Sequence, residues 1–210
     1  MITIKQLSRR SLAAAAVAAA GTTLAVSLSL SAASAAPVTT PAAGTSGGSF
    51  TFALVPSPGI KACLPHAGGF ATITPGSQND LMRVTIFGMP RNADFDLFVI
   101  QQPLKPFGVS WYQTDVNADG RGVGQASVRG VFDRETFSVS LGGTTTFAPT
   151  HQYHIGLWFN DPQVPFNLGC EPGAKTAVVT PFNGEQHAGI QVLNTSEFPD
   201  NAGPLSQVER

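Results

Sequence analysis

Apolar side chains alternate with polar ones along much of the chain after residue 49, and no other feature constrains the fold as strongly. Successive side chains of a β-strand point to opposite faces, so apolar residues two apart line one buried face. The alternating triplets are Phe50, Phe52 and Leu54; Met82, Val84 and Ile86; and Phe137, Val139 and Leu141. These segments are therefore predicted to be half-buried strands.

Residues that favour chain reversals separate the alternating segments. Pro75-Gly76, Asp119-Gly120 and Asn183-Gly184 are examples, and no long amphipathic helix interrupts the pattern. Ten strands are predicted, near residues 49–54, 69–74, 81–87, 95–101, 108–114, 123–132, 136–141, 151–159, 176–180 and 187–193. Many short strands with frequent turns predict an all-β fold, a two-sheet antiparallel sandwich, with a closed β-barrel as the alternative.

One predicted strand differs from the others because it is apolar on both faces. Residues 95–100 contain only one charged side chain, Asp96. A strand that is apolar on both faces is expected to be covered on both sides. We therefore predict a central position for this strand.

The first 35 residues have the three-part layout of a secretory signal peptide. Lys5, Arg9 and Arg10 precede a weakly apolar run over residues 12–30, and the small-residue triplet Ala-Ser-Ala ends at Ala35. Cleavage is expected after this triplet. The paired arginines also resemble a twin-arginine signal, so the Sec and twin-arginine routes both stay open. The protein is predicted to be secreted, with no membrane span after processing.

The remaining chain is expected to form one domain. Residues 36–48 carry only small, uncharged side chains, which cannot bury enough apolar area to become ordered, so they are predicted to be a flexible linker. Residues 49–210 are long enough for one domain with a core and too short for two. They are predicted to be a single β-sandwich domain with a loose C-terminal tail.

Cys63 and Cys170 are the two cysteines of the chain. In an oxidising compartment an isolated pair is expected to form a disulfide. On the chain-entropy model, closing a loop of about a hundred residues stabilises a fold by about 4 to 5 kcal/mol. A metal-binding or catalytic pair is the alternative, and the wide spacing gives it little support.

The charge of the chain argues against two classes of partner. The net charge is −1 and charged residues make up 12% of the sequence, against about 25% in ordinary domains. Binding to nucleic acid or to an anionic membrane requires a basic field that releases counterions. We therefore expect no nucleic-acid partner.

Several segments carry a resemblance to known protein groups. Residues 84–90 and 95–99, with Thr114-Asp115 and Asp119-Gly120-Arg121-Gly122, resemble the hairpin pattern of immunoglobulin-like modules in secreted bacterial proteins. More widely, residues 110–113, 153–159 and 180–196 resemble a group of uncharacterised exported bacterial proteins of actinomycete type. The resemblance implies export and a sandwich of immunoglobulin-like or jelly-roll-like type. It implies no activity.

A possible calcium site lies between two predicted strands. Asp115, Asn117 and Asp119 supply oxygen atoms at alternate positions before Gly120, as in the first half of an EF-hand loop. The twelfth position is Ala126, where that loop needs a glutamate. The same residues suit a hairpin turn between the flanking strands, and this is the interpretation we favour. Calcium is the one cofactor that the sequence suggests.

Aromatic side chains are candidates for ligand binding. Trp111 and Tyr112 are adjacent in one predicted strand, so they point to opposite faces and at least one of them is expected to face outward. Trp158 stands in a similar pair in a later strand. Exposed rings of this kind stack on sugars or apolar ligands. The alternative is that these rings fill the core.

Acidic and histidine side chains give fragments of a catalytic site. Asp94 and Asp96 share one strand face, and so do Glu185 and His187. Neither pair completes a catalytic motif. The sequence therefore predicts a secreted, non-enzymatic β-sandwich module that binds a cell-envelope or extracellular ligand, a glycan or a protein. A secreted hydrolase using these four residues and a calcium-stabilised structural protein are the alternatives.

Overall fold

Antiparallel β-strands make up nearly all of the regular structure. The computed structural model describes residues 48–132, 151–182 and 187–208. The strands in these ranges are β1 (Phe50–Pro56), β2 (Gly68–Thr74), β3 (Asp80–Phe87), β4 (Asp94–Ile100), β5 (Ser110–Asn117), β6 (Gly124–Gly130), β7 (His154–Phe159) and β8 (Gln191–Asn194). Short helices occupy Ile60–Cys63 (α1) and Gln163–Asn167 (α2), and a 3₁₀ helix occupies Pro204–Gln207. The predicted all-β class is confirmed.

The strands form one continuous order, β5-β4-β7-β8-β1-β2-β3-β6. We call β1, β2, β3 and β6 sheet A, and β5, β4, β7 and β8 sheet B. The two sheets join because β1 pairs with β2 along its first five residues and with β8 at Val55 and Pro56. At the opposite side an isolated bridge between Ala118 and Gly124 brings the end strands together. The result is a nearly closed, barrel-like sheet that combines features of both predicted architectures.

The main core lies between sheets A and B. Alternate residues of each strand point into it, as the spacing predicted: Phe52 and Leu54; Met82, Val84 and Ile86; Phe95, Leu97 and Val99; and Ile155, Leu157 and Phe159. Each of these side chains is buried, and burying one such side chain stabilises a fold by about 1.5 to 3 kcal/mol. This burial is the main force that holds the two sheets together.

A second apolar layer covers the outer face of sheet B. Phe98, Ile100 and Trp158 point away from the main core and pack with Phe182 and Ala188. The six residues of β4 that follow its first residue are consequently all buried. The prediction of a central strand covered on both sides is confirmed.

The disulfide predicted from the cysteine count is confirmed. Cys63 at the end of α1 is bonded to Cys170, which lies three residues beyond the end of α2, across 107 residues of sequence. The bond ties the segment after β1 to the segment after β7. It therefore holds together two parts of the chain that approach β8.

Three sequence predictions differ from the structure. Residues 176–180 form an irregular segment rather than a strand, and the last strand begins at Gln191 rather than at residue 187. The predicted loose C-terminal tail is wrong as far as residue 208, because Leu205 and Val208 are fully buried in the main core. These segments were misassigned because packing against the sheets, which local pattern does not report, determines their structure.

Some predictions concern residues outside the described ranges. They are the signal peptide at residues 1–35, nearly all of the linker at 36–48, and the strand at 136–141. The described residues themselves belong to one compact unit. Within them, no helix has the length and apolar character needed to cross a membrane.

Candidate functional site

A cleft of about 550 Å³ lies beside the outer apolar layer of sheet B. Its walls are mostly apolar: Pro58, Leu104, Phe107, Pro172, Ala174, Val178 and Ile190, together with Cys170 of the disulfide. Ligand sites in proteins are typically concave, mostly apolar and about 300 to 1,000 Å³ in volume. The cleft therefore has the size and lining of a site for a small molecule.

Two buried polar side chains, Ser57 and Gln191, also line the cleft. Ser57 Oγ donates a 2.9 Å hydrogen bond to Gln191 Oε1 and accepts one of the same length from Asn194 Nδ2. Gln191 Nε2 donates to the carbonyl oxygen of Pro103 at 3.0 Å. This polar network, made of Ser57, Gln191 and Asn194, joins the end of β1, strand β8 and the loop after β4.

A charged side chain, Glu171, forms part of the wall. Its Oε2 accepts a 2.8 Å hydrogen bond from the backbone N–H of Val178, which ties Glu171 to the irregular segment 176–180. Its Oε1 is buried and has no hydrogen-bond partner among the described residues. Lys105 is exposed and is the one basic side chain among the described residues of the lining. The cleft thus combines an apolar lining with a small number of polar groups.

The loop of residues 101–109 shapes one wall. Backbone hydrogen bonds from Gln101 to Val109 and from Gln102 to Phe107, each 2.9 Å, close the loop on itself. They place the Phe107 ring edge-on to Trp158, with 4.9 Å between ring centroids. This wall is therefore supported from behind by the outer apolar layer.

Gly156 allows the polar network and the outer apolar layer to meet. A Cβ atom at this position would lie 2.6 Å from Trp158 Cζ3 and 2.8 Å from Gln191 Nε2. Neither distance is compatible with van der Waals contact. A glycine is required here because both side chains cross directly over the β7 backbone.

The aromatic residues predicted to bind ligand lie in different environments. Trp158 is fully buried between Phe98, Phe107 and Phe182, so its prediction as a stacking surface is wrong and the alternative of core filling applies. Trp111 is 45% exposed and Tyr112 is 40% exposed. Trp111 and Tyr112 are exposed because they lie on β5, at the edge of the sheet. Trp158 is buried because it lies on β7, which has a neighbouring strand on each side.

Two of the three predicted calcium ligands, Asp115 and Asp119, accept hydrogen bonds within the protein. Asp119 Oδ1 accepts hydrogen bonds from the backbone N–H groups of Val123 and Arg121, and these bonds lower the pKa of its carboxyl. Tyr112 donates a hydrogen bond to Asp115 Oδ1, and Asn117 is exposed at the end of β5. Among the described residues no group of three or more Asp, Glu, His or Cys side chains could hold a metal ion.

The favoured alternative, a hairpin turn, is only partly correct. Residues 118–123 do connect β5 to β6, but β5 pairs with β4 and β6 pairs with β3, so the two strands lie in different sheets. The positive φ angle in this connection falls at Gly122, at 76°, and not at Gly120 as the Asp-Gly pair suggested. The connection is a corner between sheets, which local turn chemistry does not distinguish from a hairpin.

The predicted catalytic fragments lie away from the cleft. Asp94 is exposed at the start of β4, and Asp96 is buried, with its Oδ1 accepting a 2.9 Å hydrogen bond from Asn160 Nδ2. His187 is exposed, and Glu185 lies outside the described residues. None of the three described residues lines the cleft.

No sequence pattern indicated the residues of the cleft. Ser57, Phe107, Glu171 and Gln191 are spread over 134 residues of chain and share no motif. One signal was available, because the predicted disulfide brings the turn at Ser57-Pro58 near Glu171-Pro172. Without the sheet order, however, the disulfide does not show that β8 and the loop after β4 complete the cleft.

Comparison with known proteins identifies no family for this chain, so its function is proposed from the geometry of the cleft. The sequence matches no protein-family model. It also has no significant match among curated proteins.

Proposed function

We propose that this protein is an extracytoplasmic, non-enzymatic β-module that binds a small, mainly apolar ligand in the cleft beside sheet B. The observation that carries the proposal is the combination of an apolar lining, a polar network already paired within the protein, and a volume of about 550 Å³. A polar network that is already paired needs no rearrangement when a ligand enters, which lowers the cost of binding.

The ligand class follows from the lining. The apolar walls favour a molecule with an apolar body, such as the apolar part of a cell-envelope component. Lys105 at the cleft and Glu171 in its wall offer one positive and one negative side chain to a polar end of that molecule. We therefore expect an amphipathic ligand and not a large, uniformly polar one.

The extracytoplasmic location is supported by the disulfide between Cys63 and Cys170. Disulfides of this kind persist in oxidising compartments and are rare in the cytosol. The predicted signal peptide at residues 1–35 agrees with this location.

The chemistry of the cleft favours binding over hydrolysis. The Ser57 hydroxyl in the cleft is hydrogen-bonded to the amide side chains of Gln191 and Asn194. Neither amide can act as the base that would activate a serine nucleophile. Asp94, Asp96 and His187 do not line the cleft. A hydrolase would need an activated nucleophile or a pair of acid and base groups at this position.

The proposal is tested with the neutral fluorescent probe N-phenyl-1-naphthylamine. We expect saturable fluorescence enhancement with the purified protein. Because an indole at residue 174 would fill the cleft, Ala174→Trp should weaken probe binding by about tenfold or more. The matched control is Ala202→Trp, at an exposed residue outside the lining, and it should bind the probe as the parent protein does.

Two results would contradict the proposal. Equal affinity of the parent protein and Ala174→Trp would place the probe elsewhere. Loss of binding in both variants would show a general effect of the added indole. Circular dichroism of each variant verifies that the fold is retained.

A further inference from the structure

Among the described residues, none forms a covering layer on the outer face of sheet A of the kind found on sheet B. The strand register places Thr51, Thr72, Arg83 and Ser127 side by side in one row across β1, β2, β3 and β6. All four side chains are exposed or half-buried. Sheet A therefore presents a broad surface of ordered rows, which we call the hydroxyl face.

Hydroxyl-bearing side chains are the most common polar side chains on this face. Its serine and threonine members are Ser49, Thr51, Thr72, Thr74, Thr85 and Ser127. Thr51 Oγ1 lies 2.7 Å from Thr72 Oγ1, and Ser49 Oγ lies 2.8 Å from Thr74 Oγ1. Because threonine is stiff at χ1 and these hydroxyls are hydrogen-bonded to one another, their positions are set before any ligand arrives.

Positive charge on the hydroxyl face is not balanced by negative charge within the four described strands that form it. Arg83 lies opposite Ser127, and Arg129 lies two residues further along β6 on the same side. Diagonal neighbours of this kind lie about 7 to 8 Å apart, within reach of long side chains. The outward positions of the four strands contain no aspartate or glutamate. The ion pair found among the described residues is Arg121–Asp119, which involves neither arginine.

Two exposed aromatic rings lie near one end of the same face. Phe70 is 43% exposed and Phe87 is 44% exposed. The Phe87 ring occupies the space that a side chain at Gly68 would fill, with its Cε2 and Cζ atoms 2.8 Å from the position of a Cβ. The ring is therefore held against the sheet while part of it remains open to solvent. A ring in this position can stack on a ligand that lies across the strands.

We propose that the hydroxyl face binds an acidic polysaccharide through its carboxylate groups. Each guanidinium can hold one carboxylate with two parallel hydrogen bonds. The hydroxyl rows can form hydrogen bonds with the hydroxyls of sugar rings, and the phenylalanine rings can pack against the apolar faces of those sugars. A nucleic acid fits less well, because two arginines in a chain of net charge −1 provide too little positive charge for duplex binding. This surface is distinct from the cleft and goes beyond the function proposed for it.

The test uses polygalacturonate, its fully methyl-esterified form, and duplex DNA. The esterified polymer has the same sugar backbone as polygalacturonate but no carboxylates. DNA is also negatively charged but is not a polysaccharide. We expect calorimetric binding of polygalacturonate at low salt, with affinity at least about tenfold lower for the other two polymers. Binding should weaken as salt is added, because exposed charge pairs are screened.

Substitutions locate the surface. Arg83→Gln and Arg129→Gln should each weaken polygalacturonate binding by about fivefold to tenfold, and the double variant should lose it. Arg91→Gln is the matched control, because Arg91 is exposed in the turn after β3 and its loss changes the net charge equally. Phe87→Ser should also weaken binding.

Three outcomes would overturn the proposal. They are absence of polygalacturonate binding, equal binding of DNA, and an equal effect of Arg91→Gln and Arg83→Gln. Each outcome would mean either that the hydroxyl face binds no acidic polysaccharide or that the binding depends only on the net charge of the protein. The variant Ala174→Trp, which fills the cleft, should leave polygalacturonate binding unchanged, so the two proposals can fail independently.

Discussion

Ser57 Oγ donates a 2.9 Å hydrogen bond to Gln191 Oε1, and 134 residues of sequence separate these two buried side chains. The bond connects the turn after β1 with strand β8. A backbone hydrogen bond of 2.9 Å from Ser57 N–H to the carbonyl of Val192 runs parallel to it. The junction of sheets A and B is therefore held by polar contacts next to the cleft.

Replacing Gln191 with methionine should destabilise the protein. Methionine keeps the length of the side chain but removes the acceptor for Ser57 and the donor for the Pro103 carbonyl. Each buried polar group left unpaired costs about 1 to 3 kcal/mol, so we expect a loss of about 2 to 4 kcal/mol in the free energy of unfolding. Urea denaturation measures it. The control Gln113→Met, at a half-exposed residue of β5, should change stability by less than about 0.5 kcal/mol. Equal effects would show that the network contributes nothing.

Loss of the disulfide should be among the most destabilising changes. The bond between Cys63 and Cys170 closes a loop of 107 residues. The double variant Cys63→Ser, Cys170→Ser should lose about 4 to 5 kcal/mol of stability, because its unfolded chain is less restricted. Denaturant unfolding of the variant and the oxidised protein measures the difference. A loss below about 1 kcal/mol would mean that the contacts around the bond hold these segments without it.

Two glycines of the corner between β5 and β6 should respond differently to alanine. Gly122 has a φ of 76°, and a Cβ there would lie 2.2 Å from the carbonyl oxygen of Met89. Gly122→Ala should therefore cost about 1 to 3 kcal/mol or more. At Gly120 the nearest atom would be Asn92 Oδ1 at 4.0 Å, so Gly120→Ala should change stability by less than about 0.5 kcal/mol. Thermal melts of the two variants give the comparison, and the reverse order would contradict the geometry of this corner.

The stability of the protein should decrease as the pH falls below about 6.5, in part because of His154. Burial lowers the pKa of this ring below its ordinary value of 6.5, although carbonyl oxygens of Asp200 and Pro199 partly oppose the effect. Between the lowered pKa and 6.5 the unfolded chain binds more protons than the folded chain. The stabilisation is therefore complete above 6.5 and is lost on acidification through that window.

Urea denaturation at several pH values between 7.5 and 5 tests this prediction. His154→Gln does not titrate in this range, and its amide retains a hydrogen-bond donor for the carbonyl oxygens that His154 contacts. The variant should show a shallower decrease in stability than the parent protein. If the two slopes agree, His154 does not contribute to the pH dependence.

Alternation of apolar residues identified most of the strands correctly, because it records a local property of the backbone. Met82, Val84 and Ile86 point into the core as their spacing requires. The same pattern failed for residues 176–180, which form an irregular segment whose Val178 and Thr180 line the cleft beside sheet B. It failed there because a segment that covers a sheet is apolar for the same reason as a strand within it. Export of the protein and its immunoglobulin-like character stay predictions.

The sequence by itself determined the fold class and the disulfide, because strand spacing depends on neighbouring residues and two cysteines allow one intramolecular pair. Only the tertiary structure decided that Trp158 is buried while Trp111 is exposed, and that Ser57, Phe107 and Gln191 meet at one cleft. The physical reason is that a strand pattern specifies two faces without specifying what covers each of them. Covering depends on the order of strands in the sheet and on loops distant in sequence. In this protein one face of sheet B lies beneath an apolar layer, whereas no described segment covers the outer face of sheet A.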